Sequence, residues 1–127
     1  MDAVWEEEMK YFVQRDLKDR LFQFAVDVIL ALRTLPKSPE NSVISYQLIK
    51  SSSSSAANYE ESQGAVSKPD FSNKIGISLK EMRESNFWIR LIIKIGNINE
   101  PWPTLVKESE ELKKILGSIY SKTSVRR

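Results

Sequence analysis

The sequence contains neither cysteine nor histidine, and these two absences exclude several classes of site. Without cysteine, disulfide bonds and thiolate metal sites are impossible, and a reducing compartment is the expected setting. Without histidine, the chain lacks the commonest general base and the commonest metal ligand. Any catalysis would rest on Asp, Glu, Lys and Tyr alone, so we expect a protein that is not an enzyme and that has no catalytic, cofactor-binding or metal-binding residues.

Long apolar runs are also absent. The longest apolar stretch, from Phe24 to Leu35, is interrupted by Asp27 and Arg33. It is well short of the roughly 20 residues that cross a bilayer. The first ten residues contain three consecutive glutamates where a signal peptide has a basic region followed by an apolar one. We therefore expect no membrane segment, no export and a cytoplasmic location.

The 127 residues suit a single domain, and their formal net charge of +2 is small. The charge is unevenly distributed along the chain. Six basic and three acidic side chains lie between residues 63 and 99, and Lys122, Arg126 and Arg127 follow at the end of the sequence. A small net charge does not by itself identify a nucleic-acid-binding protein, but its concentration in one inner segment suggests where an anionic partner could bind.

The first periodic segment predicts a helix that begins near Asp16, a plausible N-cap, and ends at Leu35 before Pro36. Its apolar side chains cover more than half of the helix surface. One stripe is extended sideways by further apolar residues: Leu17, Leu21, Ala25, Val28 and Leu32, with Phe22, Val26 and Ile29 beside them. Such an arc is wider than one neighbouring layer requires, and it suggests burial on two sides, as in an oligomer.

Ser38 followed by Pro39 predicts the start of a second helix, with serine as the N-cap. This segment then meets the five consecutive serines Ser51–Ser55. Composition alone is typical of a flexible linker, but no Gly or Pro occurs between Asn41 and Gln63. In a helix, each hydroxyl could bond the carbonyl four residues back. Serine costs only a few tenths of a kcal/mol relative to alanine in a helix, so propensity leaves linker and helix equally favoured.

A third helix is predicted from the Ser67 N-cap to about Ile95, with Gly96 as its C-cap. A fourth is predicted from about Thr104 to Tyr120. Trp102, which stands between two prolines, is expected to cover one end of the structure.

No alternation typical of strands appears anywhere in the chain. Four amphipathic segments with short connections therefore predict an all-α fold, an antiparallel up-and-down four-helix bundle. We expect the bundle to occupy residues 16–121, preceded by an N-terminal extension over 1–15 and followed by a basic tail over 122–127.

A basic stripe runs along the third predicted helix. Arg83, Arg90 and Lys94 fall within about 40° of one another on a helical wheel, with Lys80 and Phe87 beside them. These four cations are our candidate nucleic-acid-binding residues. The alternative, which the pattern favours slightly, is an ordinary solvated helix face, since charged outer faces are usual.

The second and third predicted helices carry a set of residues that resembles a known family. The set is Tyr46–Ser51, Ser54, Ala57–Tyr59, Glu61, Ser67, Asp70, Phe71, Lys74, Lys80, Glu81, Glu84 and Phe87–Ile89. It closely resembles the four-helix-bundle proteins encoded within intervening sequences of bacterial 23S ribosomal RNA genes. Related proteins serve as accessory factors in diversity-generating retroelements. The resemblance spans roughly Asp16 to Tyr120.

The resemblance implies that the serine run is helical and that the bundle assembles into a ring, a homopentamer. It also implies RNA, DNA or a nucleic-acid-processing protein as partner. Asn58, Glu61, Lys74, Glu81 and Glu84, together with the packing residue Trp88, are then expected to fix helix register or contacts between subunits. The spacing of Lys80 and Glu84 also permits an ion pair along the helix.

Two functions follow as expectations. One is a non-enzymatic homo-oligomeric bundle that binds nucleic acid through basic helix faces. The other is a protein-interaction scaffold that makes no contact with nucleic acid.

Overall fold

The chain forms four consecutive α-helices in a computed structural model, which describes the backbone of residues 3–124 and the side chains of residues 16–124. The helices are α1 (Ala3–Leu32), α2 (Pro39–Ser62), α3 (Lys68–Lys94) and α4 (Trp102–Thr123). No strand occurs over the described backbone. The predicted all-α class is confirmed.

Each helix packs on the next along the chain, and α4 returns to contact α1. Within the described backbone no contact joins the diagonal pairs, α1 with α3 or α2 with α4. Residue pairs across α2 and α3 run in opposite directions, because Ser51 meets Ser85 while Ser55 meets Ser78. The molecule is therefore an up-and-down bundle with antiparallel neighbours.

Two of the predicted helix starts are confirmed in atomic detail. The Ser38 hydroxyl accepts the Asn41 backbone N–H at 3.0 Å, and the Ser67 hydroxyl accepts the Asp70 backbone N–H at 3.1 Å. A proline lies in the first turn of each helix, where its missing N–H costs no hydrogen bond. The two serine caps and the prolines that follow them fix where α2 and α3 begin.

Other predicted boundaries are wrong. Asp16 lies inside α1 rather than at its N-cap, because no Gly or Pro between Ala3 and Asp16 ends the helix. The same helix ends at Leu32, three residues before the predicted end. In α4 both ends lie two or three residues beyond the predicted limits.

The C-cap of α3 is Ile95 rather than Gly96, which follows it with φ of +127°, a value that favours glycine. The division into an N-terminal extension, a bundle and a tail stays a prediction. Arg126 and Arg127 of the tail lie outside the described residues.

The core is a continuous apolar cluster to which all four helices contribute. Its fully buried members include Leu21 and Val28 of α1, Leu48 of α2, Met82 of α3 and Leu112 of α4. Trp102 is also buried in this cluster at the start of α4, as expected for a residue that covers one end of the bundle.

The serine run is helical, as the resemblance implied, and Ser51, Ser52 and Ser55 are fully buried. The predicted hydroxyl partners are mostly wrong. Only the Ser53 hydroxyl donates to a carbonyl four residues back, that of Ile49 at 2.7 Å. The hydroxyls of Ser51 and Ser52 donate to carbonyls three residues back. The small side chains bring α2 close enough to α3 for its hydroxyls to reach the neighbouring helix.

A reciprocal pair of hydrogen bonds joins α2 and α3 at this point. The Ser55 hydroxyl donates to the Ser78 carbonyl at 2.8 Å, and the Ser78 hydroxyl donates to the Ser55 carbonyl at 2.7 Å. Among the described side chains, no buried nitrogen or oxygen lacks a hydrogen-bond partner. The polar interface therefore carries no desolvation penalty from an unpaired group.

Candidate nucleic-acid interface

Helix α3 is oriented by its buried side chains, and its basic residues consequently face solvent. Ile75, Met82 and Ile89 are fully buried in the bundle core. The opposite, outward side carries a group that we call the basic face: Lys80, Arg83, Phe87, Arg90 and Lys94, all of them exposed. The periodicity of the sequence predicted this group correctly.

Helix α4 borders the basic face along one edge. Tyr120 of α4 lies against Gly76 of α3, where an added Cβ atom would come within 2.9 Å of the Tyr120 ring. Glycine thus permits the close approach of an aromatic ring to the backbone of α3. Lys113 of α4 adds a further, partly exposed cation beside α3.

A buried side chain, Asn86, links the core of the α3–α4 interface to this surface. Its Nδ2 donates to the Ser109 hydroxyl and to Oε2 of Glu110, both at 2.9 Å. Its Oδ1 accepts a hydrogen bond of 2.9 Å from Nε of Arg90. Because Asn86 is only 2% exposed, a fixed interior group orients a surface guanidinium.

Glu110 is the acidic side chain that belongs to this network. Hydrogen bonds from Lys113 and Asn86 hold the pKa of the Glu110 carboxyl below its ordinary value. Glu110 is therefore ionised at neutral pH and offsets part of the positive charge around it.

Two aromatic side chains lie together in the C-terminal half of α3. The rings of Phe87 and Trp88 meet edge to face, with centroids 5.0 Å apart and an interplanar angle of 76°. The Trp88 Nε1 donates to Oε2 of Glu84 at 3.1 Å. The Arg90 guanidinium carbon lies 5.9 Å from the Phe87 ring centroid, within the range of a cation–π contact.

The predicted ion pair between Lys80 and Glu84 does not form in the described structure, since Glu84 accepts from Trp88 instead. Glu81 of the same helix is half-buried and lies on the side of α3 away from the basic face.

The other residues proposed for register or subunit contacts lie elsewhere. Lys74 Nζ lies 3.4 Å from Asp70 of its own helix and 4.0 Å from Glu61 across the α2–α3 interface. Asn58 donates to the Ser54 carbonyl within α2. Whether any of them contacts another subunit stays a prediction. The structure does not bring them together with the basic face.

One charged cluster was missed by sequence reasoning. Arg20 of α1 donates to both carboxylate oxygens of Glu108, at 2.8 and 3.0 Å, and to Glu111 at 2.6 Å. These hydrogen bonds hold the pKa of Arg20 above its ordinary value, and the bond to Glu108 has the largest effect. They join α1 to α4, whose contact is the least extensive of the four. No local pattern signals this pairing, since the partners lie some 90 residues apart.

Two negative findings apply to the described part of the chain. No helix there is long and apolar enough to cross a bilayer. No group of three or more acidic side chains there could hold a metal ion.

Comparison with known proteins relates the chain to one family. The family model described as 23S rRNA-intervening sequence protein matches residues 15–118. A solved structure from Bacteroides thetaiotaomicron, described as a protein with unknown function from the S23 ribosomal protein family, is 33% identical with a TM-score of 0.75. The match covers 83% of this chain and 98% of that one. No curated protein matches the chain. The relation to retroelement accessory proteins stays a prediction.

Proposed function

Because the chain belongs to the 23S rRNA-intervening sequence protein family, we propose that it acts by binding rather than by catalysis, as a homo-oligomeric bundle that holds RNA or DNA on the basic face of α3. The observation that carries this proposal is the set of four exposed cations, Lys80, Arg83, Arg90 and Lys94, on one side of one rigid helix. Within the described residues none of the four forms an ion pair.

Exposed cations that form no ion pair and lie on a rigid helix are suited to phosphate contacts. Each phosphate neutralised by Lys or Arg releases condensed counterions, which makes affinity fall steeply with salt. Four such contacts predict a loss of roughly 50- to 150-fold in affinity between 50 and 200 mM salt. A ring of subunits would repeat the basic face and increase this dependence.

Exposed apolar side chains on α1 and α2 support self-association. Phe22 and Leu30 of α1 are 59% and 51% exposed, and Val43 and Tyr46 of α2 are 59% and 64% exposed. Burial of these side chains between subunits would remove apolar area from water. The family resemblance favours a second copy of this chain, and ultimately a pentameric ring, as the partner that covers them.

The direct test is the affinity for an RNA fragment at 50 and 200 mM salt, before and after Arg83, Arg90 and Lys94 are changed to Glu. We expect the variant to lose binding and salt dependence. A matched control changes Lys18, Lys37 and Lys107 to Glu, since these lysines are also exposed but none of them belongs to α3. The control alters net charge by the same amount and should retain most of the affinity.

Salt-independent or absent binding by the unaltered protein would contradict the proposal. It would instead favour the alternative, a protein-interaction scaffold without nucleic-acid contact. Equal losses in the two triple variants would show that net charge alone drives association.

A further inference from the structure

Phe87 is an exposed aromatic ring at the centre of a cationic surface. The residue is 47% exposed and lies between Arg83 and Arg90 on the outward side of α3. The bundle core does not need this ring, because Ile89 and Met82 already fill the inward side of the same turns. Contact of an apolar ring with water is unfavourable, and a flat partner that stacks on the ring would remove this contact.

The groups around Phe87 are held in place before any ligand arrives. Trp88 packs edge to face with the Phe87 ring, and its own orientation is fixed by the hydrogen bond to Glu84. Arg90 donates through Nε to the buried Asn86, and its guanidinium carbon lies 5.9 Å from the Phe87 ring centroid. In the described structure Arg90 forms no ion pair. Such preorganisation lowers the ordering cost of binding.

A ring flanked by cations matches the chemistry of an unpaired nucleotide. The base has a flat face that stacks on an aromatic side chain, and its phosphate pairs with Arg or Lys. In a duplex the base faces are already stacked and cannot reach a ring on a convex helix surface.

We infer that the basic face takes single-stranded nucleic acid, with one unstacked base placed on Phe87 and the adjoining phosphates on Arg90 and Arg83. This inference rests on the proposed function and specifies its ligand class. Asn86 acts as a positioning residue, because it touches Arg90 and not the ligand.

The test compares a 12-nucleotide single strand with the duplex of the same strand at one low salt concentration. The variant is Phe87→Leu, which keeps an apolar side chain but removes the ring at an exposed position. We expect its affinity for the single strand to fall roughly 5- to 150-fold, the range measured for loss of one stacked base, while its affinity for the duplex changes little. Phe87→Tyr keeps the ring and should keep the affinity.

The control is Val66→Ala, which shortens an apolar side chain that is 92% exposed in the connection between α2 and α3, away from both the basic face and the apolar side chains assigned to self-association. It should leave affinity for the single strand unaltered. Native mass measurement of each variant accompanies the binding data. A change of assembly size in Phe87→Leu alone would overturn the inference, since it would assign the ring to a contact between subunits.

The outcomes separate the two proposals. If the unaltered protein binds neither nucleic acid, the proposed function fails. If it binds strand and duplex equally and Phe87→Leu has no effect, the proposed function stands and the single-strand inference is wrong.

Discussion

Both interfaces that α3 forms with its neighbours contain buried polar side chains within the apolar core, but the hydrogen bonds of these side chains lead to different partners. Against α2, the hydroxyls of Ser55 and Ser78 bond each other's backbone, and those of Ser51 and Ser85 bond each other at 2.7 Å. Every one of these bonds stays inside the bundle. Against α4, the bonds of Asn86 lead outward to Arg90 and Glu110.

The difference separates what holds the fold from what shapes the surface. The serine contacts between α2 and α3 are neutral and buried, so changes at these serines should affect stability alone. At the α3–α4 interface, Asn86 orients Arg90 of the basic face and bonds Glu110 beside it. Changes at Asn86 should therefore affect both stability and binding. The following substitutions test that distinction.

Overpacking the α2–α3 interface should cost the most. Ser78→Leu adds a bulky side chain where the Ser78 hydroxyl lies 2.7 Å from the Ser55 carbonyl. We expect the free energy of unfolding to fall by about 3 kcal/mol, at the upper end for overpacked cores. Chemical denaturation measures this loss. The control is Ser53→Leu, at an exposed serine of the run Ser51–Ser55 on α2, and it should cost less than about 0.5 kcal/mol. Similar losses in both variants would contradict close packing of α2 on α3.

Alkaline pH should weaken the α2 side of the bundle through Tyr59, which is 1% exposed. Burial raises the pKa of Tyr59 to about 12, from an ordinary value of 10.0. Because the folded state holds the proton more tightly, this stability is present below pH 10 and is lost as pH rises to about 12. The loss amounts to roughly 2–3 kcal/mol.

Tyr59→Phe should flatten the decline in stability between pH 10 and pH 12, as followed by denaturation at several pH values. Tyr46→Phe, at a tyrosine 64% exposed, should not. A decline of the same steepness in both variants would show that Tyr59 does not cause it.

Neighbouring truncations test the distinction between the two interfaces most sharply. Asn86→Ala and Ser85→Ala each remove a buried polar side chain of α3, and each should cost about 1–2 kcal/mol of stability. Only Asn86→Ala releases Arg90. Holding a free arginine in one orientation costs about 0.5–1.5 kcal/mol, so affinity for nucleic acid should fall roughly 2- to 10-fold. An equal loss of affinity in Ser85→Ala would contradict a positioning role for Asn86.

Removal of one negative charge from the α3–α4 edge should have the smallest effect. Glu110→Gln keeps an oxygen that can accept from Asn86 but removes the carboxylate beside the basic face. Exposed charge pairs contribute about 0.2–1 kcal/mol, so affinity should rise by no more than about 5-fold. Filter binding at low salt measures this gain. A lower affinity would contradict this account, since it would show that the Glu110 carboxylate is needed for binding and does not merely offset positive charge.

The sequence predicted those features that depend on neighbouring residues along the chain. The N-cap serines Ser38 and Ser67, each followed within two residues by a proline, located two helix starts. The spacing of Arg83, Arg90 and Lys94 placed these cations on one exposed side of α3. The family resemblance, rather than propensity, decided that the serine run is helical.

Features that depend on distant partners could not be predicted in this way. Nothing around Asn86 reveals that Ser109 and Glu110, more than 20 residues away, complete its hydrogen bonds. A lone asparagine in a helix is usually a solvated side chain, so its burial emerges only from packing. The seven-residue spacing of Ser78 and Ser85 was the one available signal that α3 presents small side chains to a neighbour.

Photochemical crosslinking tests the central claim, that nucleic acid lies on the basic face of α3, most directly. A single-stranded oligonucleotide carrying 5-iodouridine would be irradiated in complex with the intact protein, and the crosslinked peptide identified by mass spectrometry. The account predicts attachment within residues 80–94, at Phe87 in particular. Attachment confined to α1 or α2, with residues 80–94 unmodified, would contradict it.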